Sequence, residues 1–62
     1  MFSLMVFKSI NEKDVADVIE KPNYKVQRGV EIEAYKKLNS ETLKVVYVET
    51  ESFIRIITAV WI

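Results

Sequence analysis

Three side chains in the C-terminal half of the chain have the chemistry of a nucleic-acid site: Lys36, Lys44 and Trp61. The strand register predicted below places Lys36 directly opposite Lys44, with Trp61 just beyond them. Two like charges across a strand pair are destabilising unless solvent or an anion screens them. Such a pair suits a phosphate, while the indole stacks on a base. The alternative is structural: both lysines extend into solvent at the end of the sheet, and Trp61 anchors a small core or a dimer contact.

Arg55 is a further cationic candidate because it interrupts an otherwise apolar run of residues. A guanidinium group can contact a phosphate or the charge of a transition state. The alternative is that Arg55 points into solvent or pairs with a glutamate across the sheet.

The residue types that the chain lacks exclude most familiar enzyme mechanisms. It has no Cys and no His, which removes thiol nucleophiles, the usual zinc ligand sets and the commonest general base. The serines therefore have no histidine to activate them, and the carboxylates of Glu31 and Glu33 have no evident partner base. The single glycine excludes a glycine-rich phosphate loop. We expect no cofactor and no metal, and the sequence leaves open whether the protein is an enzyme.

The length and composition of the chain indicate one small α+β domain over residues 1–62. Hydrophobic residues make up 50% of the chain and charged residues 29%, which is a globular composition. Nine basic residues balance nine acidic ones, so no net field draws nucleic acid or a membrane surface to the protein. Any charged binding site must therefore be local.

The first ten residues do not predict export or membrane insertion. No basic stretch precedes the apolar run that starts at Met1, and Lys8 closes that run well before the roughly 18 apolar residues of a transmembrane helix. We expect a cytoplasmic protein with no membrane partner. Chains of this length normally need disulfides, a metal or oligomerisation to support a small core. Without Cys and His, a partner chain is expected.

A short helix is predicted at residues 12–20. Asn11 can cap its first turn, and Glu12 and Asp14 lie favourably at the positive end of the helix dipole. Pro22 disfavours helical geometry at the residue before it, so the helix ends near Glu20. Its apolar stripe faces the core.

The rest of the chain alternates apolar and polar residues in the manner of β-strands. We expect strands over residues 24–27, 30–38, 42–50 and 53–62. Gly29 suits a turn that needs a positive φ. The predicted fold is α+β, with one or two short N-terminal helices packed on a three- to four-stranded antiparallel β-meander.

The predicted register leaves both faces of this sheet apolar. A loop at residues 39–41 sets Ala34 against Val46 and Ile32 against Val48. The next turn sets Val48 against Arg55 and Val46 against Ile57. The helical layer covers one face, and the other is a candidate homodimer interface. Its proposed contact residues are Tyr47, Ile54, Ile56 and Val60.

Short segments along nearly the whole chain carry a family resemblance. They are residues 8–15, 19–23, 35–36, 43–47 and 56–59. This pattern resembles a family of small prokaryotic proteins of unknown function that is related in fold to the RelE, ParE and BrnT-type toxins. That family has an Arg-Gly-Ile motif before a capped helix, and Lys8 stands here in place of its arginine. The family usually has a longer first helix with a histidine, so this chain is expected to be a shortened or degenerate member, or to have its true start upstream.

The resemblance implies a RelE-like toxin-related domain that binds RNA and has an antitoxin-type protein partner. The nucleic-acid-binding candidates are Lys8, Lys36, Lys44, Arg55 and Trp61. Without histidine, RNA cleavage would depend on positioning and on cationic stabilisation of the transition state, with no proper base. The alternative is a non-catalytic protein-interaction module that homodimerises through an apolar sheet face.

Overall fold

The fold is a single helix packed on a four-stranded antiparallel meander. In this computed structural model, residues 10–62 are described. The elements are α1 (Glu12–Glu20), β1 (Tyr24–Arg28), β2 (Glu31–Leu38), β3 (Glu41–Glu49) and β4 (Ile54–Trp61). The strands lie in the order β1-β2-β3-β4 and every neighbouring pair is antiparallel. The predicted α+β meander is confirmed with four strands, and of the one or two helices expected, the described residues contain one.

The predicted limits and cap of α1 are confirmed. The Asn11 side chain accepts a hydrogen bond of 2.8 Å from the backbone N–H of Lys13, which satisfies a donor that has no partner inside the helix. At the other end, the Lys21 N–H donates to the Asp17 carbonyl at 2.8 Å. A nine-residue helix is marginal alone in water, so α1 depends on the sheet beneath it.

The core lies between α1 and the two central strands, β2 and β3. Its fully buried members are Val18, Ala34, Leu43 and Val45, and Tyr47 is 2% exposed. Val18 comes from α1, while the other four lie on one face of the sheet. Burial of this small set supplies most of the hydrophobic stabilisation, which is modest in a domain of this size.

Two tight turns set the register of the first three strands. Gly29 in the β1–β2 turn and Asn39 in the β2–β3 turn both have φ of 64°. Glycine adopts this left-handed region without steric cost, and asparagine tolerates it better than most residues. The β2–β3 turn is Asn39 and Ser40 alone, since Leu38 pairs directly with Glu41.

The predicted β2–β3 register is wrong by one residue. A loop at residues 39–41 placed Ala34 opposite Val46, whereas Ala34 pairs with Val45. Glu41 belongs to β3 and the turn has two residues, which shifts every pair by one. A shift of one residue moves a side chain to the opposite face relative to its partner strand, so Lys36 lies opposite Leu43 and Lys44 lies opposite Tyr35.

The β3–β4 pairing contains a β-bulge that the sequence did not indicate. The predicted pairing of Val48 with Arg55 is confirmed. We expected Val46 opposite Ile57, but the register shifts between Val46 and Tyr47 so that Val46 pairs with Thr58. Ile57 is the extra residue, and the side chains of β4 change faces there.

Candidate functional site

The sheet presents one face to α1 and a second face against which no described helix or strand packs. We call the second one the open face. Alternation from the buried residues assigns its members. They are Tyr24, Val26 and Arg28 of β1, Glu31, Glu33, Tyr35 and Lys37 of β2, Thr42, Lys44, Val46 and Val48 of β3, and Arg55, Thr58 and Val60 of β4.

Aromatic and basic side chains gather at one end of the open face, and we call this group the tyrosine–lysine patch: Tyr24, Tyr35, Lys37 and Lys44. Tyr24 pairs with Tyr35 and Tyr35 with Lys44 across three neighbouring strands. The two tyrosine ring centroids are 5.2 Å apart with an interplanar angle of 51°. The Lys44 ammonium lies 6.0 Å from the centroid of the Tyr35 ring, at the outer limit of a cation–π contact.

Exposure differs across the patch in a way that suits binding. Tyr24 is 60% exposed and Lys37 is also exposed, while Tyr35 and Lys44 are half-buried. The inner tyrosine is thus fixed by its neighbours, and the outer tyrosine presents its ring to solvent. The backbone of Lys37 is held as well, because its N–H donates to the Asn23 side chain at 2.8 Å.

Glu33 anchors the inner tyrosine. The Tyr35 hydroxyl donates to Oε1 of Glu33 at 3.0 Å, and Nε of Arg28 lies 3.0 Å from Oε2 of the same carboxylate. Burial, followed by the hydrogen bond to Glu33, raises the pKa of Tyr35 above its ordinary value of 10.0. Tyr35 is therefore a neutral donor at physiological pH, and both oxygens of Glu33 are engaged.

Arg55 shares the open face with Lys44 but lies toward its other end. Lys44 pairs with Val60, whereas Arg55 pairs with Val48, four residues further along β3. At about 3.4 Å per residue the two positions are roughly 14 Å apart. They can contact the same extended strand of nucleic acid at separate phosphates, but they cannot hold one phosphate together.

Lys36 and Trp61 lie on the α1 side of the sheet. Nζ of Lys36 is 3.1 Å from Oδ2 of Asp17 in α1, and Trp61 packs against the core while pairing with Leu43. The structure therefore does not bring Lys36 and Lys44 together as the predicted phosphate pair, because the register shift puts them on opposite faces. The remaining candidate, Lys8, lies outside the described residues.

The four predicted dimer-contact residues are also divided between surfaces. Tyr47 is 2% exposed beneath α1, so its predicted place at a surface is wrong, for the same register reason. Ile54 and Ile56, which are 42% and 43% exposed, lie on the α1 side, and Val60, at 43%, lies on the open face.

An apolar groove runs between α1 and β4. It encloses about 510 Å³ and is lined by Ile10, Glu12, Val15, Ala16, Ile19, Glu20, Ile54 and Ile56. Among the described elements, α1 packs on β2 and β3 and not closely on β4, so the α1 side of β4 forms one wall of this groove.

Neither tyrosine of the patch was among the binding residues predicted from the sequence. Their signal was present: Tyr24 and Tyr35 each belong to a strand, and a two-residue turn at Asn39 and Ser40 would have set Tyr35 opposite Lys44. The predicted three-residue loop instead placed Lys36 opposite Lys44, with Trp61 beyond them.

The described residues contain no group of three or more acidic side chains placed to hold a metal ion. Within residues 10–62, no helix is long and apolar enough to cross a membrane. In comparisons with known proteins, no family model, curated protein or solved structure matches the chain.

Proposed function

We propose that the protein is a small cytoplasmic RNA-binding domain, related to RelE-like toxins, that binds single-stranded RNA on the open face of its sheet and does not cleave it. The observation that carries this proposal is the row of Tyr24, Tyr35 and Lys44 across three strands, with two aromatic rings beside a lysine on the open face. The toxin relationship and an antitoxin-type partner rest on the sequence resemblance described above.

The tyrosines supply the stacking part of the site. Aromatic side chains displayed on the face of an antiparallel sheet stack unpaired bases, and each such stack is worth about 1–3 kcal/mol. Tyr24 is the better platform because it is the more exposed of the two tyrosines, at 60%. Tyr35 lies behind it with a ring separation of 5.2 Å, so it supports the orientation of Tyr24 and contacts the next nucleotide.

The lysines supply the phosphate contacts. Lys37 and Lys44 flank Tyr35 on the open face, Lys37 further along β2 and Lys44 on β3. No described acidic side chain forms an ion pair with either of them. Because the whole chain has no net charge, this local pair must provide the electrostatic attraction. Binding should therefore weaken with salt in proportion to about two phosphates.

The same geometry argues against RNA cleavage. The chain has no histidine. The Tyr35 hydroxyl keeps its proton, because its pKa is raised, and it donates a hydrogen bond to Glu33. Glu33 in turn is paired with Arg28, which keeps its carboxylate from serving as a general base. The patch can bind and orient a nucleotide, but no group in it is set to take a proton from the 2′-hydroxyl.

The test is fluorescence anisotropy of a short labelled single-stranded RNA at low and moderate salt. The variants are Tyr24→Leu and the double variant Lys37→Gln/Lys44→Gln, with Lys13→Gln/Lys25→Gln as a control that removes the same charge elsewhere. We expect salt-dependent binding that falls about tenfold or more in the first two and is unchanged in the control. Absence of binding at high micromolar protein, or equal losses in both double variants, would overturn the proposal.

A second candidate function is a non-catalytic protein-interaction module that involves no nucleic acid. The observation that favours it is the concentration of exposed apolar side chains on and beside β4: Phe53, Ile54, Ile56, Ile57, Val60 and Ile62. A complex that forms without RNA and is insensitive to salt would support this candidate.

A further inference from the structure

The apolar groove between α1 and β4 has a regular arrangement of side chains. The α1 wall is built from residues spaced three and four apart, which lie on one face of the helix. They are Glu12, Val15, Ala16, Ile19 and Glu20. On the opposite wall, Ile54 and Ile56 of β4 are 42% and 43% exposed. The groove is therefore apolar along its length, with one carboxylate near each end of its helical wall.

The dimensions of the groove suit one helix beside α1. Neighbouring strands lie about 4.8 Å apart and packed helices about 8–10 Å apart, so one helix covers about two strands. Among the described elements, α1 packs mainly on β2 and β3. A helix placed beside α1 at the ordinary distance therefore lies over β4, with Ile54 and Ile56 beneath it. The enclosed volume of about 510 Å³ is within the range of binding clefts.

The charge of the groove indicates a basic occupant. Glu12 and Glu20 are exposed, and neither forms an ion pair with a described residue. They lie eight residues apart in α1, which is roughly 12 Å along the helix axis. The helix as a whole carries four acidic residues against Lys13 alone. Basic side chains about two turns apart on a partner helix would therefore meet both carboxylates.

We propose that this groove binds a short amphipathic helix of a partner protein, with an apolar stripe that enters the groove and a basic residue at each end of the stripe. In helix-in-groove recognition, residues at positions i, i+3, i+4 and i+7 act as anchors. The inference deepens the second candidate function and rests on it, by naming the surface and the chemistry of the partner. It does not depend on RNA binding, because the open face is the other side of the sheet.

The dipole of α1 favours an antiparallel partner. The last turn of α1 contains no basic residue, so its partial negative charge and the Glu20 carboxylate add together at one end of the groove. An antiparallel helix brings its positive N-terminus to this end. Its own C-terminus then lies near Glu12, where a basic residue in its last turn is favourable for both helices.

The probe is a labelled alanine-based peptide of about 16 residues, because isolated helices shorter than about 12–15 residues are marginal in water. It carries lysines at positions i and i+7 and leucines at i+3 and i+4. Two control peptides replace either the leucines by alanine or the lysines by glutamate. Fluorescence anisotropy with the full chain, without RNA, should show that the first peptide binds about tenfold or more tightly than either control.

Variants of the protein test both walls of the groove. Ile56→Thr removes an apolar contact, and Val60→Thr makes a similar change on the open face of the same strand, at the same exposure of 43%. Glu20→Lys reverses the charge at the C-terminal end of α1, where lysine suits the helix dipole, and Glu31→Lys makes the same change on the open face. Ile56→Thr and Glu20→Lys should each weaken binding about fivefold or more. The two controls should leave binding unchanged, and circular dichroism confirms that all four variants fold.

Methyl NMR of the free and peptide-bound chain locates the peptide. We expect the largest shifts at Ile54, Ile56 and Ile19. Absence of binding at high micromolar concentration, equal binding of the three peptides, or binding that neither Ile56→Thr nor Glu20→Lys weakens would overturn the inference. Nuclear Overhauser effects to Ile54 and Ile56 from residues 1–9 or from a second copy in the free chain would assign the groove to another occupant and would also overturn it.

Sedimentation equilibrium of the chain alone separates this inference from the second candidate function. A salt-insensitive dimer that binds none of the peptides would overturn the groove inference and keep an interaction module. A monomer that binds none of them would overturn both.

Discussion

Nζ of Lys36 lies 3.1 Å from Oδ2 of Asp17, and this contact joins β2 to α1. The Lys36 side chain is 19% exposed and that of Asp17 is 46% exposed, so the pair is partly shielded from solvent. A lysine that the sequence marked as a phosphate ligand therefore holds the helix against the sheet.

Removal of either partner of this pair should affect stability and not RNA binding. Lys36→Gln and Asp17→Asn should each lower the free energy of unfolding by about 0.5–1 kcal/mol, the range for a partly exposed ion pair. The double variant should cost less than the sum of the two, because both changes remove one interaction. Urea denaturation measures the free energy of unfolding of the parent chain, the two single variants and the double variant. Lys37→Gln serves as a neutral control. Loss of RNA affinity in Lys36→Gln at unchanged stability would contradict this role.

The two tight turns should respond in opposite ways to substitution. Gly29→Ala should lower the free energy of unfolding by about 1 kcal/mol, because alanine is strained at positive φ. The cost is conformational, since a Cβ at this position meets nothing within 4 Å. Asn39→Gly, at the same φ of 64°, should be neutral or slightly stabilising. Urea denaturation compares both with Ser40→Ala, and a Gly29→Ala variant as stable as the parent would show that the turn adopts another conformation.

Stability should fall at alkaline pH because of two tyrosines. Burial raises the pKa of Tyr47 above 10.0, with a further contribution from Glu49, and burial together with the hydrogen bond to Glu33 raises the pKa of Tyr35. The unfolded chain then loses these protons at a lower pH than the folded chain does. The stabilisation is therefore complete below about pH 10 and is lost as the pH rises above that value.

Urea unfolding between pH 8 and pH 11 measures this effect. Tyr35→Phe and Tyr47→Phe should each reduce the fall in stability, and comparison with the parent chain removes the contribution of the lysines. An unchanged pH slope in both variants would show that neither tyrosine is shifted in the folded state.

The helix and the strand order could be predicted from the sequence because each rests on a local signal. Asn11, the acidic first turn and Pro22 define α1, and strand alternation with Gly29 defines the meander. The β2–β3 register could not be predicted, because Asn39, Ser40 and Glu41 are all turn-forming residues, and whether Glu41 joins the strand depends on pairing across the sheet. The length of this turn decides which lysine shares a face with Lys44: it is Lys37 and not Lys36.

The bulge at Ile57 could not be predicted either, because a run of β-branched and aromatic residues does not indicate where an extra residue lies. Its consequence is large, because Ile54 and Ile56 lie on the α1 side while Val60, which a regular strand would place on the same face as these two residues, lies on the open face. The tyrosine–lysine patch therefore results from the strand register and not from any short sequence motif.

The most direct test of RNA binding at the open face is a two-dimensional ¹⁵N–¹H NMR titration of the full chain with a short single-stranded RNA. We expect the largest shifts at the amides of Tyr24, Tyr35 and Lys44, with little change in α1, and a weaker response to a duplex of the same sequence. Shifts confined to α1 and β4, or no shifts at saturating RNA, would contradict it.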